Sequence, residues 1–259
     1  MTVRSALSSL ALPIPVLRLG RAVYVAYGAL TIAAVMLVLW AVTGFVRNAR
    51  RAVALQRAAS RLMLAALGCR FFVRGAPPAR GGGACVFVAN HTSYLDIPLI
   101  LAALDCDFAF VTKHELLEWP IISRITRAGA HIPVDRDRVE SRGAVVARII
   151  KTLRAGRRVL IFPEGTFSFD DRLRPFHAGA FKSAVAAGVP VVPIALAGVA
   201  GVWSQHAHFP RAGRVEIWVG DPLDVPANDS AALVEALRSE AHRFIAAHVL
   251  PVSKRDDSV

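Results

Sequence analysis

Between Ala22 and Val46 the chain runs for 25 residues without a charged side chain, AVYVAYGALTIAAVMLVLWAVTGFV. No other feature restricts the fold as tightly. About 20 apolar residues in helical form cover the hydrocarbon thickness of a bilayer. Tyr24, Tyr27 and Trp40 stand near the ends of the run, where amphipathic rings prefer the membrane–water interface. The run is longer than the roughly 7–15 apolar residues of a cleaved signal peptide. A membrane-anchoring helix is therefore expected. Arg47, Arg50, Arg51, Arg57 and Arg61 follow it, and Arg4, Arg18 and Arg21 precede it. That excess puts the C-terminal side in the cytoplasm, at the inner (plasma) membrane. The next stretch, LQRAASRLMLAALG from Leu55 to Gly68, has apolar residues at helical spacing with Arg57 and Arg61 on its polar side. It either lies flat on the membrane or packs onto the domain that follows.

A second uncharged stretch, Ser183 to Pro210, is no span. Pro190, Pro193 and its glycines break it, and its core VPVVPIAL reads as a buried strand. Overall the chain has 259 residues, is 54% hydrophobic and carries a net charge of +12. Its mean hydropathy is +0.46 and its isoelectric point about 10.9. The charge favours anionic partners, and the hydropathy favours a membrane over nucleic acid. No zinc spacing or nucleic-acid recognition motif is present. Cys69, Cys85 and Cys106 lack CxxC spacing and sit among apolar residues, as buried free thiols in a reducing compartment would.

From Cys69 the pattern changes. FFVRG, ACVFVAN, DFAFVTK, AHIPVDR, RRVLIFPEG, VPVVPIALAG and RVEIWVGDPL are short apolar runs of strand length. Between them, LDIPLILAAL, ELLEWPIISRITRAG (kinked or started near Pro120) and ESRGAVVARIIKTLRAG read as helices. Gly156 ends the third of these, and SAALVEALRSEAHRFIAAHV closes the series with Ser230 as N-cap. Strands alternating with helices indicate an α/β fold, a mostly parallel central sheet flanked by helices. Three regions follow: an anchor and interfacial helix region (1–68), an α/β domain (69–252) and a polar tail (253–259).

Ligand sites in such folds gather beyond the carboxyl ends of strands. Asn90, His91 and Asp96, in FVANHTSYLDIPL, stand where the chain leaves a strand. Five residues are about 140° apart on a helix, so His91 and Asp96 meet only if the chain turns after His91. Asp96 then holds one imidazole nitrogen and leaves the other to accept a proton, the base–orienter half of a catalytic triad. Serine-nucleophile signatures are missing, so the attacking hydroxyl would be the substrate's, as in acyl transfer to an alcohol. The plain alternative is a turn in which Asn90 and Asp96 cap a helix. No second ligand stands at metal spacing. Downstream, Pro163-Glu164-Gly165-Thr166 puts a carboxylate and a glycine in a turn at another strand end. It is either an anion- or oxyanion-holding loop or an ordinary strand-to-loop turn.

Together these blocks resemble a known family. NHTSYLD resembles the N-H-x-x-x-x-D block of the glycerolipid acyltransferases, and FPEGTFS their F-P-E-G-T-R-S block. GAHIPVDR and VPVVPIAL look like two further blocks, and all four stand in the family's order. The likeness runs from about Phe71 to Pro222 and is greatest to bacterial-type 1-acyl-sn-glycerol-3-phosphate (lysophosphatidic acid) acyltransferases. It implies an O-acyltransferase that moves a fatty acyl group from acyl-CoA or acyl carrier protein to the sn-2 hydroxyl of a lysolipid acceptor, giving phosphatidic acid. No metal or other cofactor is implied. The resemblance makes His91 the general base and Asp96 its orienting partner. Asn90, Glu164, Gly165 and Thr166 would shape the acceptor site, Lys113 and Arg136 would contact phosphate, and Pro193 would line the site or acyl tunnel.

One position departs from the pattern: the family's arginine after E-G-T is Phe167 here. Phenylalanine cannot make a bidentate phosphate contact. Either Arg136, Lys113, Arg172, Arg174 or Lys182 holds the phosphate, or the acceptor lacks one, as a lyso-aminolipid such as lyso-ornithine lipid would. A lipid hydrolase lacks the nucleophile motif it would need. Intact His91 and Asp96 speak against an inactive lipid-binding protein.

Overall fold

Seven strands form one sheet: β1 (Cys69–Gly75), β2 (Val86–Ala89), β3 (Phe108–Lys113), β4 (Ile132–Val134), β5 (Arg158–Ile161), β6 (Val191–Ala197) and β7 (Gly213–Val219). The computed structural model describes residues 14–77, 82–135, 141–168, 173–204, 207, 209–226 and 230–249. The strand order is β1-β7-β6-β2-β5-β3-β4. Every neighbouring pair is parallel except β6 and β7, so the expectation of a mostly parallel sheet holds. All residues of β2 and β5 are buried, as strands covered on both faces must be. Alternation sorts the side chains. Phe87 and Ala89 of β2 face one core, with Leu64, Leu99 and Ile194. Val86 and Val88 face the other, with Leu153, Phe181 and Ile245.

Helices α2 (Ala49–Ala66) and α3 (Asp96–Ala103) supply the first layer. Helices α5 (Ser141–Arg154), α6 (Gly179–Ala187) and α8 (Ala231–Val249) supply the second. α4 (Pro120–Ala128) follows a 3-10 turn and has Pro120 in its first turn, where the missing N–H would have no partner anyway. Pro120 therefore starts this helix and does not kink it. Ser230 caps α8 by accepting from Leu233 N–H at 3.1 Å. α6 and the short α7 (Val199–Val202) have no counterpart in the sequence reading.

α2 starts at Ala49, earlier than Leu55, with Asn48 as its cap. Of its two expected placements, the packed one holds: Val53, Met63 and Leu64 lie in the core. Two of its arginines, half-buried Arg57 and exposed Arg61, turn their guanidinium groups onto the end of α3. Arg57 Nε donates to Leu104 O at 2.9 Å and pairs with Asp105 at 3.2 Å, and it also bonds Cys106 O. Arg61 Nε donates to Ala102 O at 2.9 Å. The end of α3 leaves carbonyls without helical partners and carries partial negative charge. Two guanidinium groups answer both.

A buried imidazole ties α2 and β3 together. His131 Nδ1 accepts from Phe110 N–H at 3.2 Å, so Nε2 carries the proton and donates to Gln56 Oε1 at 2.9 Å. Gln56 Nε2 donates to Ile125 O of α4 at 3.0 Å. Burial, and secondarily the Arg157 charge, hold the His131 imidazole well below its ordinary pKa.

α1 (Ile14–Thr43) contains a segment, Arg18–Thr43, long and apolar enough to cross a membrane. It packs antiparallel to α2: Tyr24 Oη donates to Leu67 O at 3.0 Å near one end, and Gly28 lies so close to the Phe209 ring that a Cβ would approach to 2.5 Å. Ile32 and Val35 pack against the core. The other side exposes Leu19, Val23, Tyr27, Leu30, Leu37 and Val38. Cys69, Cys85 and Cys106 are buried free thiols, as expected. Burial pushes Cys85 up to about 12 and Cys69 to about 11, so both stay protonated and unreactive.

Candidate active site

β2 and β5 lie side by side and parallel, so the segments leaving their carboxyl ends, 90–96 and 162–168, are neighbours. The chain turns after β2, and Asp96 opens α3. His91 Nδ1 and Asp96 Oδ2 are 2.8 Å apart. The same oxygen accepts Thr92 N–H at 2.7 Å and Ser93 N–H at 2.9 Å. Asp96 is fully buried. An acceptor oxygen fixed by two amides puts the proton on Nδ1 of His91 and the lone pair on Nε2. Among the described residues no side chain bonds Nε2. Asp96 thus braces the 92–93 turn and orients the imidazole, while α3 has no side-chain cap, so the helix-cap alternative does not hold.

Three further contacts fix the histidine. Its ring lies between those of Phe162 (centroids 4.0 Å, 14°) and Phe167 (4.1 Å, 34°). Its N–H donates to Glu164 Oε1 at 2.8 Å, and its carbonyl accepts Ser168 N–H at 2.8 Å. Asn90 makes a two-way clasp with Leu196 at the end of β6, donating to its O at 3.0 Å and accepting its N–H at 2.8 Å. Asn90, fully buried, therefore splices β2 to β6.

Glu164 is 3% exposed. Its second oxygen accepts from the Ser168 hydroxyl and from Arg174 N–H at 3.0 Å. The carboxylate is spent on holding 91, 168 and 174 together. Gly165 has φ +74°, and a Cβ there would meet the His177 ring at 3.0 Å, so both the turn and the close approach require glycine. Thr166 and Phe167 are partly exposed beside it.

The other sequence candidates scatter. Lys113 ends β3 at the same edge of the sheet and pairs with Glu115 at 2.8 Å. Arg174 touches the site through its backbone, and Lys182 is exposed on α6. Pro193 sits inside β6 opposite Val88, with its ring toward Gly220, and is not brought to His91. Arg136 and Arg172 lie outside the described residues. Residues the sequence reading did not select are Phe162, Ser168, Tyr94 and Trp203. Tyr94 meets Phe167 edge-on at 5.1 Å and Trp203 at a tilt at 5.5 Å. The aromatic just before P-E-G was the one available sign of the ring clamp.

Comparison with known proteins agrees with this geometry. The Acyltransferase family model matches residues 70–197. Human 1-acyl-sn-glycerol-3-phosphate acyltransferase beta is 31% identical over 188 residues, 72% of this chain and 67% of that protein. A lyso-ornithine lipid O-acyltransferase of Pseudomonas aeruginosa is 39% identical over 111 residues, 43% of this chain and 42% of that protein. The chain spans about 40% to two thirds of the length of the curated relatives it matches. The crystal structure of the 1-acyl-sn-glycerophosphate acyltransferase PlsC from Thermotoga maritima shares the fold, with a TM-score of 0.74 at 22% identity, covering 92% of this chain and 99% of that one. With the NHTSYLD and FPEGTFS blocks gathered at one sheet edge, and with similarity of this extent to the human protein, the chain belongs to the 1-acyl-sn-glycerol-3-phosphate acyltransferase family.

Proposed function

We propose that the chain moves a fatty acyl group from a thioester donor, acyl-CoA or acyl carrier protein, to the sn-2 hydroxyl of 1-acyl-glycerol-3-phosphate, giving phosphatidic acid. One observation carries the reading: a histidine whose Nδ1–H is fixed on a buried carboxylate and whose Nε2 is bonded by no described side chain. Such a pair activates a hydroxyl that the substrate must bring. The acceptor O–H proton passes to Nε2 as the oxygen attacks the thioester carbonyl. The C–S bond then breaks, and the leaving thiolate takes the proton back from the imidazolium. Asp96 supports the cation between these steps. General-base action of this kind is worth about 10²–10⁴-fold. Gly165, Thr166 and Phe167 form the rim where the acceptor would lie, and Lys113, with Arg136, is a candidate phosphate contact.

The N-terminal helix supports a membrane setting. Residues 24–40 of α1 rise about 24 Å along the domain. The rest of the helix is too short to cross ~30 Å of hydrocarbon clear of it. Its exposed apolar side then lies in the lipid interface. The arginines around α1, drawn to anionic headgroups, and the free thiols favour the cytoplasmic face of the inner membrane.

A second acceptor class has an observation of its own. Phe167 stands against the base where the family has arginine, and a lyso-ornithine lipid O-acyltransferase is among the relatives. The test is purified protein with labelled acyl thioester and a panel of lysolipids, comparing kcat/KM in wild type and Phe167→Arg. Turnover of lysophosphatidic acid to phosphatidic acid confirms the first reading. Selective turnover of a phosphate-free lysolipid, weakened by Phe167→Arg, replaces it with the second. Release of free fatty acid without acceptor overturns both.

A further inference from the structure

A cavity of about 480 Å³ opens at the C-terminal end of α1 and shares no residue with the site around His91. Trp40, Thr43, Gly44 and Arg47 wall it from one side, Arg124 and Arg127 of α4 from the other. The Arg124 guanidinium lies 4.7 Å from the centre of the Trp40 ring. Its tip also abuts Gly44, where a Cβ would come within 1.7 Å of the terminal nitrogen. No carboxylate is among the described residues lining the cavity. None of the three arginines is ion-paired with a described residue. Three arginines lining one small space put like charges near one another, which an entering anion would offset. Their planar forks match phosphate oxygens.

The surroundings say where that anion comes from. The exposed apolar side of α1 continues through Val42 to Phe45, which is 89% exposed, and Trp119 and Ile121 are exposed on either side of the cavity's Pro120. These apolar side chains stand beside a basic pocket on the lipid-facing side of the domain, so a phospholipid whose chains meet them can bring its phosphate to the arginines. We propose that Arg47, Arg124 and Arg127 form a binding site for the phosphate of an anionic membrane phospholipid, distinct from the reaction site. The proposal rests on the reading of α1 as the membrane contact.

Two measurements on the full chain test it. Flotation with phosphatidylcholine vesicles reports α1 alone, and failure to float overturns both readings. Native mass spectrometry from detergent, with equimolar phosphatidylglycerol and phosphatidylcholine of matched chains, reports the pocket. Wild type should retain phosphatidylglycerol about tenfold over phosphatidylcholine. The Arg124→Gln/Arg127→Gln variant should lose that preference, as expected when a charge-assisted contact is removed. Millimolar inorganic phosphate should leave the adduct in place. Its displacement of the lipid would make the site one for a free anion and overturn the lipid assignment. A protein that floats but retains both lipids equally, or a variant with undiminished preference, overturns the pocket. Should the double variant fail to fold, Arg47→Gln and Gly44→Ala serve instead, the latter keeping every charge while forcing Arg124 off the turn. Both should reduce the preference.

Discussion

Glu164→Gln separates two roles for this glutamate that the resemblance leaves merged. In the structure the carboxylate is buried and accepts from His91 N–H at 2.8 Å, from Arg174 N–H at 3.0 Å and from the Ser168 hydroxyl. Glutamine offers one oxygen and one NH₂. If the NH₂ faces His91, that amide loses its acceptor. If it faces the other side, Ser168 can rotate to accept but Arg174 N–H is stranded. Either way one charge-assisted bond is lost, worth about 1.5–3 kcal/mol, and a buried donor is left unpaired. Relief of the buried charge offsets part of this. A net loss of about 2 kcal/mol lowers Tm by roughly 4–8 °C in a chain of this length. His91 keeps its second tie, the bond from Ser168 N–H, so the imidazole shifts but is not released. Displacement of a catalytic group by about 1 Å costs on the order of 10²-fold. The expected result is kcat reduced by about 10–100-fold, with acceptor and donor KM within about threefold of wild type. Thermal unfolding in detergent and steady-state kinetics with labelled acyl thioester check it. An unchanged Tm with a raised acceptor KM would show that Glu164 touches the acceptor and would refute the positioning argument.

His91→Ala should lower kcat by at least about 10²-fold, and near-normal turnover would end the general-base assignment. Asp96→Asn should lose a similar factor; if most activity survives in the same assay, Asp96 is only a cap for the 92–93 turn. Because His131 is held neutral in the fold and the unfolded imidazole binds a proton below about pH 6.5, stability should fall as pH drops below that value, by up to about 1.4 kcal/mol per unit. Unfolding midpoints of wild type and His131→Asn between pH 5 and 7 check this, and parallel profiles would refute it. Leu30→Asp/Leu37→Asp, on the exposed side of α1, should shift the protein from the membrane to the soluble fraction without lowering its Tm; unchanged sedimentation with membranes would exclude that side as the lipid contact.

Much of the sheet was legible because its central strands are apolar at nearly every position and end in polar turns. Neighbouring chemistry was legible because His91 and Asp96 are only five residues apart. What escaped reading depends on partners distant in sequence or on backbone atoms. Glu164 looked like a ligand-facing carboxylate, yet it serves the amide of a residue 73 positions earlier. The bonds that Arg57 and Arg61 make were hidden because helical periodicity cannot register that α3 ends beside them with free carbonyls. α6 carries one charge in nine residues, GAFKSAVAA. Buried on the sheet, it lacks the polar face that makes an amphipathic helix visible.

Phe167 was legible as a substitution but not as a contact. An arginine there would set a cation beside an imidazole that must itself become cationic during acyl transfer, with the phosphate as the compensating charge. The phenylalanine ring is 4.1 Å from His91 and 5.1 Å from Tyr94, and Tyr94 leads through Trp203 and Phe209 to Tyr24 of α1 at centroid spacings of 5.5, 6.5 and 6.2 Å. The Phe167 ring thus joins an aromatic row between the base and the N-terminal helix. With Phe162 on the opposite face, the imidazole is left one free edge, the one carrying Nε2. Loss of a phosphate contact at 167 is accordingly coupled to a tighter hold on the base. Under the proposed lysophosphatidic acid reading, Lys113 at the carboxyl end of β3 is a described candidate for meeting the acceptor phosphate.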